Sequence, residues 1–171
     1  MSTDSDLLQT HTIHLHLNGK QLQREVQART HLVDFLRDDQ GLKGSHLGCE
    51  HGVCGACTVQ LDGAIVRGCL VLAVQADGRS VNTIEGLSES GALRELQEAF
   101  VQRNALQCGF CTSGMLLAAH ELVEHRPQAS REEVREWISG NYCRCTGYHA
   151  IVDAFCDVLD QRKLASQGVA A

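Results

Sequence analysis

The residues best suited to chemistry in this chain are its nine cysteines, in a total of 171 residues. Eight of them fall into two groups with short internal spacings. The first cysteine group has the pattern Cys-x4-Cys-x2-Cys-x11-Cys and comprises Cys49, Cys54, Cys57 and Cys69. The second cysteine group is a Cys-x2-Cys pair followed, after 31 residues, by a Cys-x-Cys pair, and comprises Cys108, Cys111, Cys143 and Cys145. Converging thiolates bind soft metals, so both groups indicate metal or iron–sulfur sites.

Disulfides are the main alternative use of so many cysteines, and they are typical of small secreted domains. Here the count is odd, and the spacings are too short to tie distant parts of a fold together. Residues 1–9 are polar and acidic, without the basic, apolar or twin-arginine segments of export signals. We therefore expect a cytoplasmic chain whose cysteines bind metal.

The first cysteine group begins with the spacing of plant-type 2Fe–2S sites. The loop from Gly48 to Cys57 is rich in glycine, which suits a short turn that directs backbone N–H groups at sulfur. The fourth ligand, Cys69, is expected at the start of the next strand. Structural zinc also takes four thiolates, but zinc modules usually combine two short Cys-x2–4-Cys pairs. A Rieske site needs a second Cys-x-x-His pair, so His51 is interpreted as a solvent-facing or loop-packing residue.

The second cysteine group is expected at the starts of two helices. Cys111 directly precedes a helix predicted to begin at Thr112, and Cys145 precedes one predicted to begin near Tyr148. Two helix N-termini would then face one site, where their free N–H groups and dipoles favour an anionic cluster. The pair formed by Cys143 and Cys145 is too tight for a disulfide or an ordinary zinc knuckle, but it can ligate one iron atom.

The first half of the chain has the pattern of strands. Apolar residues alternate with polar ones, and Asn18-Gly19 and Asp62-Gly63 are hairpin signals. A helix capped by Thr30 is predicted to run through Arg37. The predicted strands are 12–17, 21–27, 58–61, 64–66, 69–74 and 80–84.

The second half has apolar residues at helical spacing in four stretches. Ser130 and Glu133 form a capping box, and Val101 is placed on the buried side of the first helix. The ninth cysteine, Cys156, lies in the last helix and is interpreted as a buried, inert thiol. We predict an α+β protein with one domain at residues 1–86 and a four-helix domain at residues 87–171, ending in a tail after Arg162.

Composition excludes some functional classes. The formal net charge is −6, and no basic stripe of the kind that binds nucleic acid is present. No stretch approaches the roughly 20 apolar residues of a membrane span. The hydrophobic fraction is 43%, which is ordinary for a globular protein.

Taken together, the cysteine motifs resemble those of the iron–sulfur subunit of the molybdenum hydroxylases, the xanthine oxidase family. The resemblance extends from about Thr12 to Leu159 and includes all eight ligand positions in order. Three segments carry it: Gly48-Cys49-Glu50-His51-Gly52-Val53-Cys54-Gly55-Ala56-Cys57-Thr58-Val59, Gln107-Cys108-Gly109-Phe110-Cys111-Thr112 and Asn141-Tyr142-Cys143-Arg144-Cys145-Thr146-Gly147-Tyr148.

This resemblance implies a plant-type ferredoxin-like β-grasp domain followed by a four-helix bundle domain, each with one 2Fe–2S cluster. The cluster of the second cysteine group would lie next to the molybdopterin of a large catalytic subunit, which Gln107 and Cys145 would contact. The cluster of the first group would lie towards the FAD of a medium subunit. The family also implies a dimer of three-subunit units.

Two positions depart from the family pattern. Ser113 stands where proline is frequent, in the first turn of a helix, and serine is compatible with that position. Glu50 replaces a glycine common in relatives, which affects the potential of the first cluster but not its ligation.

The resemblance implies a chain that relays single electrons from molybdenum to FAD and has no catalytic acid, base or nucleophile of its own. No flavin or nicotinamide fingerprint is present. A diffusible two-cluster ferredoxin and a zinc-stabilised interaction module are the alternatives. Iron and sulfide content separates the zinc module from the other two, and co-purification with molybdenum and FAD subunits separates the bound subunit from the free carrier.

Overall fold

A five-stranded sheet forms the first part of the structure, a computed structural model that describes residues 9–168. The strands lie in the order β2-β1-β5-β3-β4, with β1 and β5 parallel and the other neighbours antiparallel. Their bounds are Thr10–Leu17 (β1), Lys20–Gln27 (β2), Thr58–Leu61 (β3), Ala64–Arg67 (β4) and Ser80–Asn82 (β5).

Both hairpins predicted from turn residues are present. The residues of Asn18-Gly19 have φ values of 50° and 79°, and those of Asp62-Gly63 have 51° and 86°. Two consecutive residues with positive φ form a type I′ turn, whose twist matches that of the strands it joins. The strand pairs on either side therefore stay in regular antiparallel register.

One face of the sheet is covered by a helix. Helix α1 (Leu32–Asp34) continues as a wider helical turn at Phe35–Asp39. The alternating pattern of β1 turns every second residue inward, and these side chains join those of α1 in one buried cluster. Its largest fully buried members are Ile13, Leu32, Phe35 and Leu36. This arrangement of a helix on a mixed sheet confirms the predicted ferredoxin-like fold of the first part.

The segment predicted as a strand at 69–74 is not a strand. β4 ends at Arg67, and Leu70 donates its backbone N–H to the Arg67 carbonyl at 2.8 Å, which closes a turn. A short 3-10 helix follows at Ala73–Ala76. Leu70 is 60% exposed, so the apolar run that indicated a strand does not bury one face. Cys69 therefore lies in a turn and not at the start of a strand.

Two smaller predictions for this part are also wrong. Thr30 does not cap the first helix, because His31 occupies the N-cap position and no side chain caps it. The Thr30 carbonyl instead accepts the backbone N–H of Ala73 at 2.8 Å. β5 is shorter than predicted, because helix α2 (Ile84–Glu89) begins within the predicted strand.

The second part of the structure contains the four predicted helices. The capping box is present, since Glu133 donates its backbone N–H to the Ser130 hydroxyl at 3.3 Å and accepts the Ser130 N–H at 2.7 Å. A 3-10 turn follows the third of these helices. The bounds are α3 (Arg94–Gln102), α4 (Thr112–His125), α5 (Arg131–Trp137), the 3-10 turn (Ile138–Gly140) and α6 (His149–Gly168).

The core of the helical part is mainly aliphatic, around Phe100 and Phe155, whose ring centroids are 6.1 Å apart. Val101 is 68% exposed, so its predicted burial is wrong. The residues after Arg162, predicted as a tail, continue α6 as far as Gly168. The last residues of that tail, 169–171, and the acidic N-terminal residues 1–8 lie outside the described residues. No helix within 9–168 has the length and apolarity needed to cross a bilayer.

Helix α4 holds the two parts against each other. Its buried Glu121 carboxylate accepts the backbone N–H of Ile65 in β4 at 2.8 Å. In the first turn of α4, Gly114 lies on the Gly55 carbonyl, and a Cβ atom added there would be 2.2 Å from that oxygen. The predicted domain boundary between residues 86 and 87 falls inside α2, the short helix that connects the two parts.

We predict that Gly114→Ala destabilises the protein although alanine is the better helix former. Alanine in place of glycine favours a helix interior by about 1 kcal/mol. Here the methyl group must displace α4 from the Gly55 carbonyl, which we expect to cost on the order of 1–3 kcal/mol. Urea unfolding monitored by circular dichroism measures the net loss of stability.

The matched control is Ser113→Ala, one residue earlier on α4. The Ser113 hydroxyl is buried without a hydrogen-bond partner within residues 9–168, so its removal leaves stability unchanged or higher. Equal or greater stability of Gly114→Ala than of the wild type would show that the close approach at Gly55 is not needed.

Candidate iron–sulfur sites

The first cysteine group lies on a loop whose backbone repeatedly takes left-handed conformations. Glu50, Gly52 and Gly55 have φ values of 58°, 83° and 75°. Such conformations direct backbone N–H groups inward, and the Cys54 N–H donates to the Cys49 sulfur at 3.3 Å. The sequence predicted that glycines would let this loop turn its N–H groups towards sulfur, and Gly52 and Gly55 do lie at its left-handed turns. Glu50 shares their conformation, which glycine adopts more readily than other residues.

The thiols of the first cysteine group differ in burial and in ionisation. Backbone N–H groups of Cys54 and His51 hydrogen-bond to Cys49 and lower its pKa to about 6. Burial raises the pKa of Cys57 to about 11, and the adjacent Cys69 thiol, with which it shares a hydrogen bond, adds to the effect. Cys57 and Cys69 are each only 2% exposed, whereas Cys49 and Cys54 are half-exposed. The group thus has one open and one buried edge.

The second cysteine group forms two pairs, each made across the two sequence segments. The Cys108 and Cys145 sulfurs are 3.6 Å apart at the surface. The Cys111 and Cys143 thiols share a hydrogen bond further inside the protein. The spacing indicated that Cys143 and Cys145 act as one ligand pair, but the structure places each of them beside a cysteine of the other segment.

Two hydroxyl groups support the inner pair. Burial raises the pKa of Cys111 to about 12, and its hydrogen bond to Cys143 adds to this. Burial is the largest influence on Cys143 and opposes its ionisation. The pKa is nevertheless lowered, because the Thr146 hydroxyl, which donates to the sulfur at 3.1 Å, acts together with the backbone N–H groups of Thr146 and Cys145 and with the Cys111 thiol. The Tyr148 hydroxyl accepts the Cys143 backbone N–H at 2.9 Å. Thr146 and Tyr148 belong to a segment that carries the family resemblance, but the sequence did not predict their hydrogen bonds to Cys143.

Both helix N-termini expected at the second cysteine group are present. Cys111 occupies the N-cap position of α4, which begins at Thr112. Helix α6 begins at His149, four residues after Cys145. The free N–H groups in the first turn of a helix carry partial positive charge, so this end of the helical part favours an anionic ligand.

The remaining residues singled out in the sequence are placed as follows. Gln107 is exposed, and its side-chain amide donates to the Cys145 carbonyl at 3.2 Å, so these two predicted pterin contacts lie together at the surface. The His51 ring contacts the Cys49 carbonyl and is exposed, in agreement with a loop-packing residue. Cys156 is half-buried instead of buried, and burial raises its pKa.

The donor sets fit two-iron clusters. In the first cysteine group the Cys49 and Cys54 thiols share a hydrogen bond, as those of Cys57 and Cys69 do. The thiols of each group therefore meet as two pairs, and a 2Fe–2S centre takes two thiolates on each of its irons. Across residues 9–168, no three His, Cys, Asp or Glu side chains converge on a point where they could bind a single metal ion. Within each group, the pairs could each hold one iron.

We predict that Cys49 is the most readily alkylated cysteine in the chain freed of metal. Its thiolate is stabilised by backbone N–H groups, so labelling by iodoacetamide should rise with a midpoint near its pKa of about 6. Mass spectrometry of protein that keeps its circular dichroism spectrum measures the labelling. Cys156, also partly accessible but with a raised pKa, is the internal control and should react only at higher pH. The same pH profile for both would contradict the assignment.

Comparison with protein families gives two matches that together span most of the chain. A model described as "2Fe-2S iron-sulfur cluster binding domain" matches residues 15–86. A second model, described as a 2Fe-2S binding domain, matches residues 83–156. Each match contains one complete cysteine group.

Whole-chain comparisons give the same result. The chain is 57% identical over 149 residues to the nicotine 6-hydroxylase small subunit of Paenarthrobacter nicotinovorans, covering 87% of this chain and 90% of the relative. It is 49% identical over 161 residues to caffeine dehydrogenase subunit gamma of Pseudomonas sp. (strain CBB1), covering 92% and 96%. A chain in the crystal structure of quinoline 2-oxidoreductase from Pseudomonas putida 86 superimposes with a TM-score of 0.84 at 52% identity, covering 88% and 93%.

Identity at this level over almost the whole of each relative shows common descent. It confirms the α+β fold with a ferredoxin-like domain before a helical domain, the 2Fe–2S cofactors and the oxidoreductase class. The chain belongs to the family of small iron–sulfur subunits of the molybdenum hydroxylases.

Proposed function

We propose that each cysteine group holds one 2Fe–2S cluster and that the chain conducts electrons within a molybdenum hydroxylase complex. The observation that carries this proposal is the meeting of eight thiols as four pairs. The proposed ligands are Cys49, Cys54, Cys57 and Cys69 in the ferredoxin-like domain, and Cys108, Cys111, Cys143 and Cys145 in the helical domain.

The protein's contribution is to hold and tune these ligands. When bound, a 2Fe–2S cluster accepts and gives up one electron at a time. The Cys54 N–H and the Thr146 hydroxyl donate to ligand sulfurs, which stabilises added negative charge there. Burial of Cys57 and Cys69 keeps water from one side of the first site. No residue of this chain is assigned as a catalytic acid, base or nucleophile.

The exposed edge of the second cysteine group is the proposed contact with a large molybdopterin-binding subunit. Gln107 and Cys145 lie together there, and both are exposed. Large apolar side chains flank them, with Leu106, Phe110 and Tyr142 exposed by 37%, 45% and 54%. Several large apolar side chains exposed close together are typical of a surface that is covered by a partner. In the proposed complex, Gln107 and Cys145 contact the pterin.

The open edge of the first cysteine group is the proposed contact with a medium FAD-binding subunit. Cys49 and Cys54 are half-exposed there, and Val53 and Leu70 beside them are 42% and 60% exposed. Electrons would then pass from molybdopterin through the helical domain to the ferredoxin-like domain and on to FAD. A dimer of heterotrimers and a cytoplasmic location remain predictions from the family resemblance and the sequence.

The substrate class of the complex is proposed from the relatives alone. Those compared above are named for nicotine, caffeine and quinoline, which are all N-heterocycles. We propose an N-heterocycle for this complex also. The large subunit would select the substrate, and no residue of this chain takes part in that choice.

The experiment that tests cluster binding is EPR spectroscopy of the dithionite-reduced protein, with iron and acid-labile sulfide assayed on the same sample. We expect two distinct 2Fe–2S signals and about four irons per chain. A single signal would show that one cysteine group is misassigned. Zinc in place of iron would remove the electron-transfer proposal and favour an interaction module.

Replacing one ligand should interrupt the chain of electron carriers. Cys145→Ser removes a thiolate from the proposed helical-domain site, so we expect loss of one EPR signal and no reduction of FAD by substrate in the purified complex. Cys156→Ala is the matched control, because it also removes a cysteine from the helical domain. It should keep both signals and cost on the order of 1 kcal/mol of stability. Normal flavin reduction in Cys145→Ser would contradict the proposed path.

A further inference from the structure

The two cysteine groups are joined across the domain boundary by a compact set of hydrogen bonds. Its centre is the carbonyl of Gly55, which lies between two ligands of the first group. This oxygen accepts the Thr58 hydroxyl at 2.7 Å and the Asn141 side-chain amide at 3.2 Å. Gly55, Thr58 and Asn141 are all buried, so these bonds form without competing solvent.

Arg67 completes this set from strand β4. Its guanidinium donates to the Gly140 carbonyl at 2.7 Å, to the Asn141 side-chain oxygen at 3.3 Å and to the Thr58 hydroxyl. We call Arg67 and Asn141 the clamp. Arg67 lies two residues before Cys69, and Asn141 lies two residues before Cys143, so the clamp touches both ligand sets through very short lengths of chain.

Next to the clamp, one backbone hydrogen bond joins the ligand segments of the two cysteine groups directly. The Tyr142 N–H donates to the Cys54 carbonyl at 2.8 Å. Cys54 is a proposed ligand in the first group, and Tyr142 directly precedes Cys143 of the second. One hydrogen bond and a few covalent bonds thus connect ligands of the two groups. A separate contact between the two parts is made by Phe110, next to Cys111, which stacks on His46 at 4.7 Å between ring centroids.

We propose that Arg67 and Asn141 are positioning residues that fix the two cluster sites relative to each other and maintain the Tyr142–Cys54 contact as the link between them. This inference rests on the proposed cluster ligation. One electron that crosses the link oxidises one cluster and reduces the other, with no bond broken and no proton transferred. Neither residue is a ligand, so the clamp acts on the coupling between the sites and not on their occupancy.

The test is the magnetic interaction between the two reduced clusters of the full chain, measured by low-temperature EPR in wild type and in Asn141→Ala. Asn141→Ala removes the amide donor to Gly55 and the acceptor for Arg67. We expect both signals and about four irons per chain to remain, while the splitting that each cluster induces in the other is lost. In the assembled complex, electron exchange between the clusters after a rapid reductant pulse should slow in parallel.

Glu121→Ala is the matched control. It also removes one buried side-chain contact between the domains, to Ile65 two residues from Arg67 on the same strand, but it touches neither ligand loop. We expect the wild-type interaction between the signals. If Glu121→Ala weakens the magnetic interaction between the clusters as much as Asn141→Ala does, the proposal is overturned. The general packing of the two domains, and not the clamp, would then set the interaction.

The proposal would also be overturned if the EPR signals of Asn141→Ala showed the same splitting as those of the wild type. If Asn141→Ala fails to hold both clusters, Arg67→Lys is measured instead. Lysine keeps the positive charge but cannot span the three acceptors that the guanidinium reaches. If Arg67→Lys keeps its full iron content and shows a weaker magnetic interaction between the clusters, the proposal is supported. If the interaction is as strong as in the wild type, or if iron is lost, the result counts against the proposal. Absence of two 2Fe–2S signals in the wild type would refute the proposed function itself, which distinguishes the two failures.

Discussion

Repulsion between thiolates is the constraint on which the rest of this structure depends. Four cysteine side chains must stay together, although each ionised thiol makes the ionisation of its neighbours less favourable. The pKa values of Cys57 and Cys111 are raised chiefly by burial, and the adjacent thiols raise them further. Donors aimed at sulfur offset this effect: backbone N–H groups at Cys49 and a hydroxyl at Cys143.

The two domains meet this constraint with different local structures. The ferredoxin-like domain uses one irregular loop with left-handed residues, and it closes the site with a cysteine held in a turn after β4. The helical domain uses the start of α4 and the segment that leads into α6. In both, rigid elements lie directly behind the ligands, so that small movements of the loops are resisted by the packed sheet or the packed helices.

The features predicted from sequence are those that depend on short stretches of chain. The two hairpins follow from Asn18-Gly19 and Asp62-Gly63, and the start of α5 follows from a serine and glutamate three residues apart. The two cysteine groups were visible in the same way, from spacing alone. The strand predicted at 69–74 failed because an apolar run does not show whether its side chains face a core, and Leu70 does not.

Features that depend on distant parts of the chain were not predictable. Arg67 and Asn141 are 74 positions apart. Asn141 begins one of the segments that carry the family resemblance, but no sequence pattern shows that its side chain meets that of Arg67. The pairing of Cys108 with Cys145 also requires the relative placement of α4 and α6, which spacing within each motif does not determine. Val101 was misplaced for a similar reason, because the exposed side of a short helix is set by what packs around it.

The position of α4 on the sheet has a further consequence, for solubility. β2 and β4 are the two outer strands, and an unprotected outer strand offers free N–H and C=O groups to other chains. β2 carries Lys20, Arg24 and Glu25, charges that discourage such pairing. β4 has Ile65 and Val66, and its one charged side chain, Arg67, is bound to the helical part. The Ile65 N–H is already occupied by Glu121 of α4. The helical domain therefore also protects the ferredoxin-like domain from aggregation. A chain cut between the domains would expose strand β4, whose free backbone groups could pair with a strand of another molecule.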